Sequence, residues 1–445
     1  MRNASLALLV VALVACRKGS PAAPDAAIAD EPDAFAPGAP RARAPACRPV
    51  AVSWYAPPAA GERLDDGAGV VSPPDAGDAL FPPIESATMA TVDTTQWLLW
   101  ADARDHALHL GRAPRSAVTT ALTAGNRGEA LLSLAGPQRA TPVAVWAYDT
   151  PAGRLHTVRG GEGLDAACTQ PEARDEALAV STAVTSQGVL VAWDDDGPSG
   201  GAVKVQVVPV PVPSGQCPAP RQVSPPDQDA GDPLVVAAPD GGAVIAWLSA
   251  RELERDQNND TATDVWALAL DARGASLGTP VRVTTSAGHR FGLAAAVSPD
   301  GASVWLAYRV VPDSGTEARG DGGSVALTRL ARNAQGLARL GDPMVMTAND
   351  ANPTAAVRVF AYNSVERPVD VWWRDRRGAA VTTMRRSCDA TGSPSLDAPG
   401  GVAEPALHGE LPAWMDPRGA VGAWIVRTPG GGVGVARIRC GAALR

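Results

Sequence analysis

Short apolar runs of about five or six residues recur along the chain, each cut off by a turn signal. The clearest stretch is 232–284. It reads DPLVVAAPDGG, AVIAWLSA, a polar loop, DVWALALDARG and LGTPVRVTT. Runs such as 243–247 and 280–284 are rich in Val, Ile, Thr and Trp, side chains that fit a pleated sheet. PDGG at 239–242 and DARG at 271–274 are turn chemistry, because Gly supplies φ > 0 and Asp bonds its own backbone. Several runs are apolar at successive positions instead of alternating, which predicts strands buried on both faces.

The unit repeats. A second strand ending in Trp or Tyr is placed at 96–100, 143–146, 189–193, 243–247, 304–308, 369–373 and 420–424. The six intervals from Trp100 to Trp424 average about 54 residues. Ala-rich innermost strands precede these at 86–90, 130–134, 178–184, 234–238, 293–297, 355–360 and 404–407. Third strands follow, as at 203–208, 264–270 and 433–439. Four-stranded units buried on both faces fit an all-β fold, the β-propeller, whose radial blades cover one another. The count is seven blades, with six or eight also compatible. The last unit reaches Arg445 without a fourth strand, and 48–54 (RPVAVSW) has no blade of its own. That N-terminal strand is expected to close the ring as the outer strand of the last blade, which removes an open edge.

Ahead of the repeats, Arg2 and the apolar stretch 6–14 form an export signal. Leu13-Val14-Ala15-Cys16 follows and resembles the lipobox of bacterial lipoproteins. The resemblance implies cleavage before Cys16 and acylation of its thiol and amine; the alternative is an ordinary signal peptide. Several acyl chains hold durably, since each buried CH₂ contributes ~0.8 kcal/mol. Arg17 stands where the enterobacterial sorting rule has Asp for inner-membrane retention, so the resemblance implies the outer membrane. Residues 18–45 are rich in Ala, Pro and Asp and cannot bury a core, so they read as a tether. The expected organisation is signal peptide 1–15, lipidated cysteine and tether 16–46, and propeller 47–445.

A formal charge of −8 argues against nucleic acid as a partner, since phosphate binding needs a basic face. After Cys16 five cysteines remain, and export permits disulfides. Cys440 ends the last third strand and Cys47 begins the proposed closing strand, so a Cys47–Cys440 bridge would staple the ring. Cys168 and Cys217, read as following third strands of adjacent blades, form a second candidate pair. Cys388 is then the odd thiol.

The loops leading into third strands gather charge on one face of the disc: Asp102, Arg104, Asp194, Asp195, Asp196, Arg251, Arg309, Arg374 and Arg376. Loops on a rigid scaffold are where binding commonly resides, so this is the expected binding face. Within it Asp256, Asn258, Asp260 and Asp264 place oxygens at positions 1, 3, 5 and 9 of a loop. That spacing resembles the calcium loops of integrin-type propellers and, in part, EF-hands, and implies Ca²⁺ as a cofactor. Thr261 stands where the EF-hand's turn Gly belongs, and a plain hydrophilic hairpin is the alternative. His106 and His109 point to opposite faces of a strand and do not make a site. Ser298-Pro299-Asp300-Gly301 resembles the SPDG turn of TolB-like propellers, and turn chemistry accounts for it.

No nucleophile–base pair, paired-carboxylate motif or phosphate loop stands out, so no catalytic residue is assigned. The segments 243–247, 264–267 and 271–274 resemble the degenerate Trp-containing propellers of bacterial surface lipoproteins. The resemblance implies fold and location, and a fold does not fix a function. The expected function is a membrane-anchored binding or scaffolding module for an envelope protein or glycan, acting through the charged loop face. The alternative is an envelope hydrolase or lyase with its site at the mouth of the propeller channel.

Overall fold

A computed structural model of the chain describes residues 47–440 apart from 57–62, 65–69, 72–83, 93–94, 103–106, 114–119, 124–130, 136–141, 151–152, 161–165, 172–178, 199, 256–260, 286–287, 312–322, 349–350, 365, 378–379, 390–392, 395–399, 403–410 and 428–430. The chain divides into two units, Met1–Ala42 and Arg43–Arg445, and the second holds every described strand. Among the described residues no helix is long and apolar enough to cross a membrane.

Seven four-stranded antiparallel blades form a ring. Blade 1 is Ile84–Val92, Thr95–Asp102, Ala107–Ala113 and Thr120–Thr123; blade 2 is Leu131–Ala135, Val143–Thr150, Gly153–Gly160 and Ala166–Pro171. Blade 3 is Val180–Thr185, Gly188–Gly197, Gly200–Val208 and Arg221–Gln222; blade 4 is Ala230–Ala237, Ala243–Arg255, Thr261–Leu270 and Ser276–Arg282. Blade 5 is His289–Val297, Ser303–Val311, Ser324–Asn333 and Gly336–Val345; blade 6 is Pro353–Ala361, Val369–Arg377, Ala380–Cys388 and Gly400–Val402. Blade 7 is Pro412–Met415, Val421–Arg427 and Val433–Cys440, completed on its outer edge by Cys47–Ala56. First strands of consecutive blades lie against one another from blade 7 through blade 1 to blade 6, which puts them at the axis.

The second strands are buried along their length because a blade lies on either side. Val189–Trp193 and Ala243–Trp247 expose almost nothing. Apolar clusters bridge neighbouring blades: Leu190, Val205, Ile245 and Trp247 join blades 3 and 4, and Trp305, Leu327, Val371 and Trp373 join blades 5 and 6. The repeated tryptophans are therefore the mortar between blades, and Trp100, Trp193, Trp247, Trp372, Trp373 and Trp424 are all fully buried.

Closure occurs as the sequence pattern leads one to expect. Cys47–Ala56 pairs antiparallel with Val433–Cys440, with Cys47 directly opposite Cys440. Tyr55 of the closing strand then reaches blade 1, edge-on to Trp100 with ring centroids 6.2 Å apart. Its ring occupies the space a Cβ would take at Gly111, which would lie 2.0 Å from the Tyr55 Cδ1 atom.

One detail differs from the sequence expectation. The expected first strand of blade 7 at 404–407 lies outside the described residues, and the strand that pairs with Val421–Arg427 is Pro412–Met415. A search for small residues near the axis passes over PAWM because it carries a Trp. Cys168 follows the third strand of blade 2, as expected, and sits within Ala166–Pro171, the fourth strand.

Candidate functional site

Among the described residues two disulfides are formed. Cys47–Cys440 spans 393 positions and ties the first strand of the ring to the last. Cys168–Cys217 ties the outer strand of blade 2 to a segment of blade 3. After Val208 the chain swings outward, and Gly215–Gln216 adds to blade 2 in parallel beside Cys168 and Thr169. The Cys217 amide donates to the Thr169 carbonyl at 3.0 Å, and the chain then returns to blade 3 as Arg221–Gln222. Val210 and Val212 pack into the apolar cluster between blades 2 and 3 along this detour, but the two-residue strand it adds to blade 2 is too short for the sequence to announce. Among the described cysteines Cys388 is the free thiol; it is buried beside the Met346 sulfur, and burial pushes its thiol up to about 12.

The disc has two faces. On the upper face second strands end and third strands begin; on the lower face turns join first strands to second. The expected binding residues sit on the upper face, but most lie below its surface. Asp102, Asp194, Asp195, Arg309 and Arg374 are buried, while Asp196 and Arg376 are exposed. Arg104 lies outside the described residues, and Arg251 lies in the second strand of blade 4.

Burial of these charges follows from a repeated device. A side chain at the end of a second strand pins the connection arriving at a first strand. In blade 3 the Asp194 carboxylate accepts from the Ala179 amide at 3.0 Å. In blade 6 Asp375 accepts from the Asn352 amide in the same way. Arg309 of blade 5 donates to the Pro353 carbonyl of blade 6 at 3.2 Å and lies over the Phe291 ring at 5.1 Å. Asp195 accepts from the Asp196 amide at 2.8 Å and pairs with Lys204 at 2.7 Å. Buried charges are tolerated only when paired and hydrogen-bonded in this way. Sequence reasoning takes the run Asp194-Asp195-Asp196 for a solvated loop because it cannot see the incoming connection.

Of the four calcium-loop residues, Asp256, Asn258 and Asp260 lie outside the described residues. Asp264 is buried, accepts from the Thr284 hydroxyl at 2.9 Å and pairs with Arg282. A cation there would have to displace a guanidinium, so Asp264 does not fit a ligand set as it stands. Among the described residues no group of three or more His, Cys, Asp or Glu side chains is gathered for a metal. His109 stacks on Trp100 with centroids 5.2 Å apart, which is a packing role.

Asp232 is the upper-face residue that the sequence reading missed. It is half-buried at the start of the first strand of blade 4, in an irregularity of strand pairing between Gly231 and Leu234. Its φ is +51°, a left-handed conformation that Asp and Asn adopt more readily than most residues. Burial, and then the nearby Asp194 charge, raise its carboxyl to about 6. The only sequence signal is an Asp between Gly231 and Pro233.

A carboxyl raised in the fold binds its proton more tightly there than in the unfolded chain, so its contribution is present below about pH 4 and lost as pH rises through 6. Asp232→Asn keeps a residue tolerant of φ +51° and removes the charge. It should stabilise the protein by about 1–2 kcal/mol at pH 7, after discounting for solvent access, and leave stability unchanged at pH 4. Denaturant melts at the two pH values decide it; an equal difference at both would sink the assignment.

No family model and no curated protein matches the chain. Among solved structures it is similar to a polysaccharide lyase of family PL25, an ulvan lyase, at 10% identity and TM-score 0.54, covering 89% of this chain and 96% of that one. The same lyase bound to -[GlcA(1-4)Rha3S]- gives 9% identity and TM-score 0.54 over the same shares. The Dos1 propeller gives 10% identity and TM-score 0.47, covering 80% and 93%. At these identities the likeness shows the propeller fold alone.

Proposed function

We propose that the protein is an exported lipoprotein, anchored through Cys16, whose propeller binds a glycan of the cell envelope at the upper face around the axial mouth. The observation that carries this reading is the repeated pinning of blade connections by Asp194, Asp375 and Arg309. It makes that face a rigid platform on which exposed Asp196 and Arg376 present charge. Rigid polar platforms lose little entropy on binding. Two disulfides suit an oxidising compartment. The anchor, the tether 16–46 and an outer-membrane address rest on the lipobox and on Arg17.

The test is a panel of envelope polysaccharides presented to the full chain by affinity electrophoresis. Replacing Asp196 and Arg376 together by Ala should weaken the retained glycan at least about tenfold, with an unchanged melting temperature. Equal retention by the double variant would overturn the upper face as the site. Retention of an envelope protein instead of any glycan would move the partner class to protein.

A second reading is an envelope hydrolase or lyase at the mouth. It is favoured by Asp232, a carboxyl that burial and the neighbouring Asp194 charge raise to about 6, which lets it hold a proton in mildly acid solution as a general acid must. Polysaccharide cleavage lost in Asp232→Asn and retained in the Asp196/Arg376 double variant would select it.

A further inference from the structure

On the lower face the turn between the first two strands of blade 5 and its counterpart in blade 6 enclose a cleft of about 360 Å³. That volume lies in the range of small-molecule sites. Blade 5 lines one side with Ser298, Asp300, Ser303, Trp305 and Arg329, and blade 6 lines the other with residues that include Asn363 and Ser364.

Both walls are fixed before any ligand arrives. The blade 5 turn is closed by the Ser298 amide to the Ser303 carbonyl at 2.8 Å and by the Gly301 amide to the Ser298 carbonyl at 2.8 Å. In blade 6 the Tyr362 amide donates to the Pro368 carbonyl at 2.7 Å, and the Asn363 amide reaches the Pro417 carbonyl of the blade 7 turn at 2.9 Å. Tyr362 is wedged against Gly419, where a Cβ would stand 3.0 Å from its ring. The Arg329 guanidinium lies over Trp305 at 5.3 Å, and its Nε and Nη2 both donate to the Ser303 hydroxyl, at 3.1 and 2.9 Å. A guanidinium charge held in place this way is suited to a carboxylate. Across from it Asp300 is kept ionised, first by the Ser298 hydroxyl, then by the Ala302 amide, with help from the Arg329 charge.

We propose that this cleft binds an acidic saccharide, with its carboxylate on Arg329 and its hydroxyls on Asp300, Asn363 and Ser364. The turn amides named above are already bonded within the fold, and Pro299 and Pro368 have no N–H to offer. An extended peptide therefore finds no backbone edge to pair with. The ligand must be read by side chains, and carboxylate, amide and hydroxyl groups all suit a hydroxyl-rich partner. Asp300 repels a second negative charge nearby, so the cleft favours one carboxylate per bound unit. The proposal rests on lower-face side chains alone and stands or falls apart from the upper-face reading.

The test is calorimetric titration of the full chain with a β-1,4-linked glucuronic acid disaccharide and with cellobiose, which has the same linkage without carboxylates. The uronate should bind at least about tenfold more tightly, the worth of one charge-assisted contact. Arg329→Gln should level the two sugars. Asn363→Ala, at an exposed turn position, should weaken both sugars by similar factors while keeping their ratio, and Asp300→Asn, which removes a negative charge, should raise the ratio in favour of the uronate; both remain informative if Arg329→Gln does not fold. No uronate binding at millimolar concentration, a ratio unchanged in Arg329→Gln, equal competition by an acidic peptide, or loss of binding in the Asp196/Arg376 double variant would each overturn it.

Discussion

Replacing Cys47 and Cys440 together by serine will lower the stability of the propeller by about 4–6 kcal/mol, the largest single effect expected in this chain. The chain-entropy argument is direct. The bridge closes a loop spanning 393 positions, so its loss frees the two ends of the unfolded chain from each other. The corresponding expectation for Cys168–Cys217, which spans 49 positions, is about 4 kcal/mol. Geometry adds a second reason for the larger effect. Cys47–Ala56 is the outer strand of blade 7, and Tyr55 carries the closure on to Gly111 and Trp100 of blade 1. Ring closure thus depends on a strand that comes from the opposite end of the sequence. For a chain of this size the loss corresponds to a fall in melting temperature of roughly 5–7 °C. Thermal melts of the wild type, the double variant and a Cys168→Ser/Cys217→Ser variant, with and without reductant, decide the matter. A closure variant that melts within 2 °C of wild type would show that strand pairing alone holds the ring.

The parts of the fold that could be read from the sequence are those written in apolar runs. Strands such as 189–193 and 243–247 are apolar at every position because blades cover both their faces, and that pattern survives in the sequence of one unit. The closing role of 48–54 could be read because the count of strands left one unit incomplete and one strand over. The pairing of Cys47 with Cys440 followed from that register. Misreadings arose where the local pattern departs from its function in the fold. Pro412–Met415 is an axial strand with a Trp in it, and the connection through Gly215–Gln216 joins another blade's edge with only two residues. Most side chains of the expected charged face are buried in the fold. Asp194 and Arg309 look solvated in one dimension and are buried pins in three, because their partners, Ala179 and Pro353, stand at the entry to first strands and no local pattern says which second-strand end each entry meets. Asp232 went unnoticed for a related reason, since a left-handed residue and a neighbouring carboxylate are both properties of the folded backbone.

Asp370→Ala will cost about 3–5 kcal/mol, more than removing its contacts one by one would suggest. Asp370 opens the second strand of blade 6 and has no exposed surface. Arg385 donates to its carboxylate through Nε at 2.8 Å and again through Nη2, and the Ser387 hydroxyl donates at 2.6 Å. The same guanidinium lies over Trp372 at 5.2 Å and reaches the Cys47 sulfur at 3.2 Å. Trp372 in turn meets Trp424 of blade 7 edge-on, with centroids 6.3 Å apart. The ion pair therefore stands where the last two blades, the closing strand and the stapling disulfide meet. Removing the carboxylate leaves a buried guanidinium with its main partner gone, and the cost is that of an uncompensated charge. Removing both charges is a different experiment. Asp370→Leu with Arg385→Met keeps apolar volume against Trp372 and leaves no buried charge behind, so the double variant should recover at least about half of the single-variant loss. Denaturant midpoints of the wild type, Asp370→Leu, Arg385→Met and the double variant complete the cycle. If the double variant is as unstable as Asp370→Ala, the pair acts by positioning Cys47 and Trp372, and reductant should then add little to the loss already present.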